Sequence, residues 1–223
     1  MDLKNYSCIQ QEIQIFEEKH NRKISLIAVS KKQSIEKINN LIDYGHLDFG
    51  ENYVQEGVDK IKTISNPSLI WHFIGPIQSN KTKLITEHFN WVHSIDRLKI
   101  YERIKNEANS LRKKINFLIQ INISKENTKS GININDLDGI LDSINPNDDY
   151  LCFRGIMAIP SNTSNINLLE TEFSLLNKAY ISLKERFRTV DTLSMGMSND
   201  YQLAMDHGST MIRVGSKIFG ERI

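Results

Sequence analysis

Short apolar runs recur along the chain at residues 26–30, 47–49, 70–74, 91–95, 117–123, 152–159, 192–195 and 211–214. Each has the length of a buried strand, and the stretches between them change to a helical period. Leu98, Tyr101, Ile104, Ala108 and Leu111 share one helical face, with Asp96 placed to cap the helix. Leu169, Phe173, Leu176, Tyr180, Leu183 and Phe187 repeat the pattern behind an Asn- and Ser-rich lead-in. Val54, Val58 and Ile61 mark another helix, and Ile35, Ile38 and Ile42 a shorter one behind Ser34. Ile9, Ile13 and Phe16 add a helix ahead of the first strand. Alternation of this kind implies parallel strands joined by helical crossovers, and eight such units close a sheet on itself. The pattern predicts a single-domain (β/α)8 TIM barrel over residues 1–223 with an extra N-terminal helix. The alternative is an open doubly wound sheet, which calls for a Gly-rich turn after the first strand. Val29-Ser30-Lys31-Lys32-Gln33 has no glycine.

Charge narrows the class of partner. The 223 residues include 28 Lys and Arg against 27 Asp and Glu, a formal net charge of +1. No basic excess exists to neutralise a phosphate backbone, so nucleic acid is not an expected partner. The pairs Lys31-Lys32 and Lys113-Lys114 are too short to change that. Cys8 and Cys152 match no metal spacing and no disulfide framework, and read as buried or half-buried free thiols in a reducing compartment. Asp2, Glu12, Glu17 and Glu18 interrupt the N-terminus, so no signal peptide is expected. No run is long enough to cross a bilayer. A cytoplasmic protein without a membrane partner is the expectation.

Active sites of such barrels lie at the C-terminal ends of the strands, and several chemical groups fall there. Lys31 directly follows Ile27-Ala28-Val29. Apolar surroundings disfavour the ammonium and free a neutral amine for imine formation; the alternative is a lysine reaching to solvent, as Lys32 would. Ser194-Met195-Gly196-Met197-Ser198 and Gly215-Ser216, at the ends of the seventh and eighth strands, offer turn amides and hydroxyls for a phosphate. Met211, Arg213 and Gly215 share one face of the last strand. A barrel-facing Arg213 needs a partner: a phosphate, a ring nitrogen, or a carboxylate such as Glu51 or Glu221. His72 reads as a structural histidine bonded to backbone or to the Gln78–Asn80 loop rather than a general base, and the other histidines as surface or helix residues. No His, Asp and Glu set has metal spacing.

These residues sit inside longer motifs. Ala28-Val29-Ser30-Lys31, Phe49-Gly50-Glu51-Asn52-Tyr53-Val54-Gln55-Glu56, Trp71-His72-Phe73-Ile74-Gly75-Pro76-Ile77-Gln78-Ser79-Asn80-Lys81, Gly155-Ile156-Met157-Ala158-Ile159-Pro160, Ser194-Met195-Gly196-Met197-Ser198 and Arg213-Val214-Gly215-Ser216-Lys217-Ile218-Phe219-Gly220 occur in this order. Together they resemble the pyridoxal phosphate homeostasis proteins, the YggS/PROSC family, from Leu26 to Arg222. The resemblance implies a barrel like the N-terminal domain of bacterial alanine racemase and pyridoxal 5′-phosphate held as an imine on Lys31. It implies phosphate contacts at Ser198, Gly215 and Ser216, an arginine near the pyridine ring at Arg213, and a site asparagine at Asn52. Where the family usually has threonine this chain has Ser216, which keeps the hydroxyl and the amide.

The family resemblance implies a carrier that buffers the cofactor and hands it to apoenzymes without strong catalysis, and a single domain permits a monomer. An amino-acid racemase is the alternative within cofactor chemistry. Racemisation needs acid–base groups on both faces of a carbanion. In alanine racemases the second base is a tyrosine from a C-terminal β domain, which is not expected in a chain ending three residues after Gly220. Tyr44 or Tyr53 would have to substitute. A permanent cation at Arg213 also disfavours protonation of the ring and weakens it as an electron sink. A Schiff-base aldolase on a phosphorylated substrate is the alternative outside cofactor chemistry. No catalytic residue is therefore assigned.

Overall fold

The computed structural model describes residues 3–124, 126 and 130–220. Helix α1 (Lys4–His20) precedes β1 (Ser25–Val29), α2 (Ile35–Asp43), β2 (Asp48–Glu51), α3 (Val54–Ile64) and β3 (Ile70–Phe73). Then follow α4 (Thr82–His88), β4 (Trp91–Ile95), α5 (Leu98–Leu111), β5 (Ile115–Ile121), α6 (Leu137–Leu141) and β6 (Leu151–Ala158). The chain continues through α7 (Ile166–Arg186), β7 (Thr192–Ser194), α8 (Tyr201–Asp206), β8 (Met211–Val214) and α9 (Ser216–Phe219). The strands pair in sequence order, and β1 pairs in parallel with β8 through Ile27 opposite Arg213, closing the barrel. The strand-and-helix pattern of the sequence thus has the expected closure.

Period-two alternation sorts the side chains into two cores. Leu26 and Ala28, Trp71 and Phe73, Phe117 and Ile119, and Ile212 and Val214 face the helices and join the large outer cluster. Ile27, Trp91, Leu118, Met157 and Met211 form a smaller one inside the barrel. Helix α1 adds Tyr6, Ile9, Ile13 and Phe16 to the outer cluster. The helical period of α1 turns Cys8 outward, so it is exposed rather than buried; Cys152 is half-buried, as expected.

Three local expectations change. Asp96 does not cap α5: the N-cap residue is Arg97, with no side-chain cap, because the carboxylate of Asp96 is taken by the Arg97 guanidinium. The buried stripe of α5 is Ile100, Tyr101, Ile104 and Ala108, while Leu98 and Leu111 protrude from its terminal turns. Strand β2 runs past the apolar run to Glu51, and Leu47 is exposed before it. The polar extension is tolerated because Gly50 lets the barrel close: a Cβ there would lie 2.9 Å from Ile27.

Two histidines depart from the surface-or-helix expectation, and His72, a satisfied histidine as expected, has other partners than expected. His46 and His93 are buried along with His72. The Nε2 of His72 meets Asp48 Oδ1 at 3.0 Å and its Nδ1 meets His93 Nε2 at 3.0 Å, in place of the Gln78–Asn80 loop. Inward alternation on β2, β3 and β4 brings these groups together. His46 bonds Tyr6 and the carbonyl of Asp48. Burial lowers the pKa of all three rings below the ordinary value. The unfolded chain therefore takes up protons below about pH 6.5 that the folded chain refuses. Stability from this source is complete above that pH and falls below it, by up to ~1.4 kcal/mol per pH unit for each ring. Urea midpoints at pH 7.5 and 5.5 test this: the midpoint should drop at the lower pH, and an unchanged one would mean the rings titrate freely.

Candidate functional site

A cavity of about 360 Å³ opens at the C-terminal mouth of the barrel, and Lys31, Asn52, Ser198, Arg213, Gly215 and Ser216 all line it. The six residues singled out in the sequence thus meet at one place. Val29, Ile74 and Ile159 supply apolar wall.

Lys31 follows β1 and shares its inward face with Ile27 and Val29, whereas Ser30 turns toward the helices. A buried ionic cluster holds this turn. The Nζ of Lys60 donates to the Ser30 carbonyl at 2.7 Å, to Glu51 at 2.8 Å and to Glu56 at 2.6 Å. Ser30 Oγ donates to Glu51 at 2.6 Å, and the Lys32 amide donates to Glu56. Lys32 is left-handed, with φ of 59°. The residues on both sides of Lys31 are therefore fixed to α3. Burial raises the pKa of Glu51, and the Lys60 ammonium opposes that rise. Glu51 is consequently not the partner of Arg213, because it faces the helix layer; Glu221, the other carboxylate considered, lies outside the described residues.

The two turns expected to cradle an anion are joined. Ser198 Oγ accepts from the amides of Gly215 at 3.3 Å and Lys217 at 3.4 Å, tying the turn after β7 to the start of α9. Gly196 makes the first turn with φ of +93°, and a Cβ there would lie 2.6 Å from that of Ala204. Asp200, not foreseen in the sequence, fixes this turn by accepting from the Met197 amide at 2.6 Å and also lines the cavity.

Arg213 is 4% exposed and points inside. One guanidinium nitrogen donates to Ser194 Oγ at 2.6 Å and another to the Ala158 carbonyl at 2.9 Å. Burial pushes its pKa down to about 10, against the attraction of Asp200, so it is still a cation at neutral pH. Asn52 brings a buried Oδ1 with no hydrogen-bond partner among the described residues. A second missed feature is the loop after β6. Pro160, Ser161 and Thr163 rim the cavity, and Glu172 on α7 anchors Ser161 through both its amide and its hydroxyl. The polar residues after the sixth apolar run were the available signal. Tyr44 and Tyr53 are each more than half exposed, at 56% and 51%, and neither lines the cavity.

Among known proteins, the pyridoxal phosphate homeostasis protein of Pasteurella multocida is 44% identical over 226 residues, covering 98% of this chain and 97% of that protein. The chain belongs to the pyridoxal phosphate homeostasis protein family. The Escherichia coli K12 member of the family is 46% identical over 202 residues, 89% of this chain and 86% of that one. The sequence profile of the alanine racemase N-terminal domain matches residues 5–223. PipY of Synechococcus elongatus, solved with PLP bound, superposes with a TM-score of 0.83 at 30% identity, covering 94% of this chain and 99% of PipY.

Proposed function

We propose that residues 1–223 act as one cytoplasmic unit, a monomer, that carries and buffers pyridoxal 5′-phosphate at the barrel mouth and passes it to apoenzymes, without strong catalysis of its own. The carrying observation is the convergence of Lys31, Arg213 and the Ser198 and Gly215-Ser216 turns on one cavity. The cofactor supplies an aldehyde that condenses with a primary amine, with loss of water. Lys31 presents that amine from an apolar wall, and the Lys60 cluster orients the turn that carries it. Ser198, Gly215 and Ser216 bind the phosphate. Arg213 faces the pyridine ring, and the orphaned Asn52 Oδ1 accepts from a ligand hydroxyl, which gives that buried oxygen the partner it otherwise lacks.

A non-catalytic role is supported by the names of the relatives and by the acid–base inventory of the cavity. Among the described residues, its titratable lining groups are Lys31, Asp200 and Arg213. Asp200 is engaged with the Met197 amide, and among the described residues no tyrosine lines the wall to serve as a second base. An electron sink opposite a cationic Arg213 is also weakened.

The test is mass spectrometry of the purified protein after borohydride reduction, with the adduct mapped to a peptide, followed by racemisation assays on several amino acids. An adduct on the Lys31 peptide with no appreciable racemisation supports the carrier. Fast racemisation, or no adduct, would overturn it. Arg213→Ala should keep the adduct and shift the absorbance of the bound cofactor; an unchanged spectrum would remove Arg213 from the ring.

A further inference from the structure

A line of buried polar groups crosses the barrel interior from its N-terminal end to the cavity, and cofactor binding as described uses only its last member, Arg213. Asp48 Oδ1 meets His72 Nε2 at 3.0 Å, and His72 Nδ1 meets His93 Nε2 at 3.0 Å. His93 Nδ1 meets Ser194 Oγ at 3.4 Å, and Arg213 donates to that oxygen at 2.6 Å. The groups come from β2, β3, β4, β7 and β8, so no single element dictates the alignment. Only Asp48 is substantially open to water, with 34% of its side chain exposed against 1% for His72.

Hydrogen-bond chemistry fixes the direction of this line. A carboxylate only accepts, so His72 carries its hydrogen on Nε2. A neutral imidazole has one donor and one acceptor, which leaves His72 Nδ1 bare and requires a hydrogen on His93 Nε2. His93 Nδ1 is then bare in turn and accepts from the Ser194 hydroxyl. Ser194 keeps lone pairs for the guanidinium, which can only donate. Every hydrogen points from Arg213 toward Asp48, with a cation at one end and an anion at the other. Aligned bonds in a low-dielectric interior polarise one another.

We infer that Asp48, acting through His72, His93 and Ser194, positions Arg213 in the cavity: the carboxylate at the base of the barrel orders both imidazoles and so sets the guanidinium that meets the ligand. The inference rests on the reading of this cavity as the pyridoxal 5′-phosphate site. It assigns positioning roles to four residues, none of which touches the cofactor. Tyr6 bonds His46 and His46 bonds the Asp48 carbonyl, so this pair holds the start of β2 rather than extending the line; Arg154, over the Trp91 ring that stacks on His72, is engaged with Asn116 and Asp191.

Long-range ¹H–¹⁵N correlation spectra of the cofactor-free full chain, labelled in histidine, read the ring hydrogens directly. Both His72 and His93 should be neutral with hydrogen on Nε2 at pH 7. Hydrogen on Nδ1 in either ring, or a doubly protonated ring, overturns the inference. The second arm loads the chain with pyridoxal 5′-phosphate. Asp48→Ala and His93→Leu should shift the absorbance band of the bound cofactor and weaken its binding by roughly threefold to tenfold. His93→Gln, which keeps one donor and one acceptor, should restore the native band. A purely structural role would lower stability in all three variants and leave the band in place, which also overturns the inference. Should a variant fail to fold, the spectra of the unsubstituted chain still decide. If that chain takes up no cofactor, the functional reading fails while the ring hydrogens remain measurable, so the two failures are distinguishable.

Discussion

Lys31→Ala leaves no borohydride-stable cofactor on the chain. The prediction follows from the position of the amine rather than from its presence, since Lys32 is adjacent. Lys31 lines the cavity with Val29 below it, while Lys32 is turned away by its left-handed backbone and lies near the exposed Tyr53 ring. On the proposed function, with the phosphate at Ser198 and Ser216, a neighbouring amine that faces outward cannot reach the aldehyde. Loss of the adduct should be complete, and the phosphate turns should still hold some cofactor non-covalently, removable by dialysis. Mass spectrometry of reduced Lys31→Ala and Lys32→Ala proteins checks this. An adduct retained in Lys31→Ala, or lost in Lys32→Ala, would place the anchor elsewhere.

Lys60→Met should cost about 3–5 kcal/mol of stability, the range for stranding one member of a buried ion pair. Glu51 is wholly buried and already has one oxygen without a partner among the described residues. Removing the ammonium strips its other oxygen of the ionic contact and takes one of two donors from the Ser30 carbonyl, which keeps the Gln33 amide. Adding Glu51→Gln removes the stranded charge and should recover part of the loss. Cofactor uptake should fall in Lys60→Met even under conditions where the chain is folded, because the turn carrying Lys31 loses its tie to α3. Urea unfolding and cofactor titration of the single and double variants measure both effects. A loss below about 1 kcal/mol would mean that water or a proton reaches Glu51.

Strand positions were legible in the sequence because a buried parallel strand must be apolar on both faces, and Trp91–Ile95 and Met211–Val214 keep the limits their apolar runs suggest. Strand β2 was less so, since its interior face reads Asp48, Gly50 and Asn52. That Lys31, Asn52, Ser198, Arg213, Gly215 and Ser216 meet at one cavity was legible because barrel sites gather at strand ends and because the surrounding motifs match a known family. Asp200 and Glu172 were not found: each acts on a loop amide, and such a bond leaves no periodic trace. His93 was misjudged because a histidine within an apolar run has no sequence mark that separates core from surface.

The order of apolar runs and helical stripes decided by itself that the strands are parallel and eightfold, since burial in water acts on each segment through its own period. Partnership was decided only by closure of the barrel. Glu51 went to Lys60 and not to Arg213, and Asp48 found His72, because alternation sends neighbouring side chains to opposite sides of one sheet. Which of them then meet depends on strands far apart in the chain.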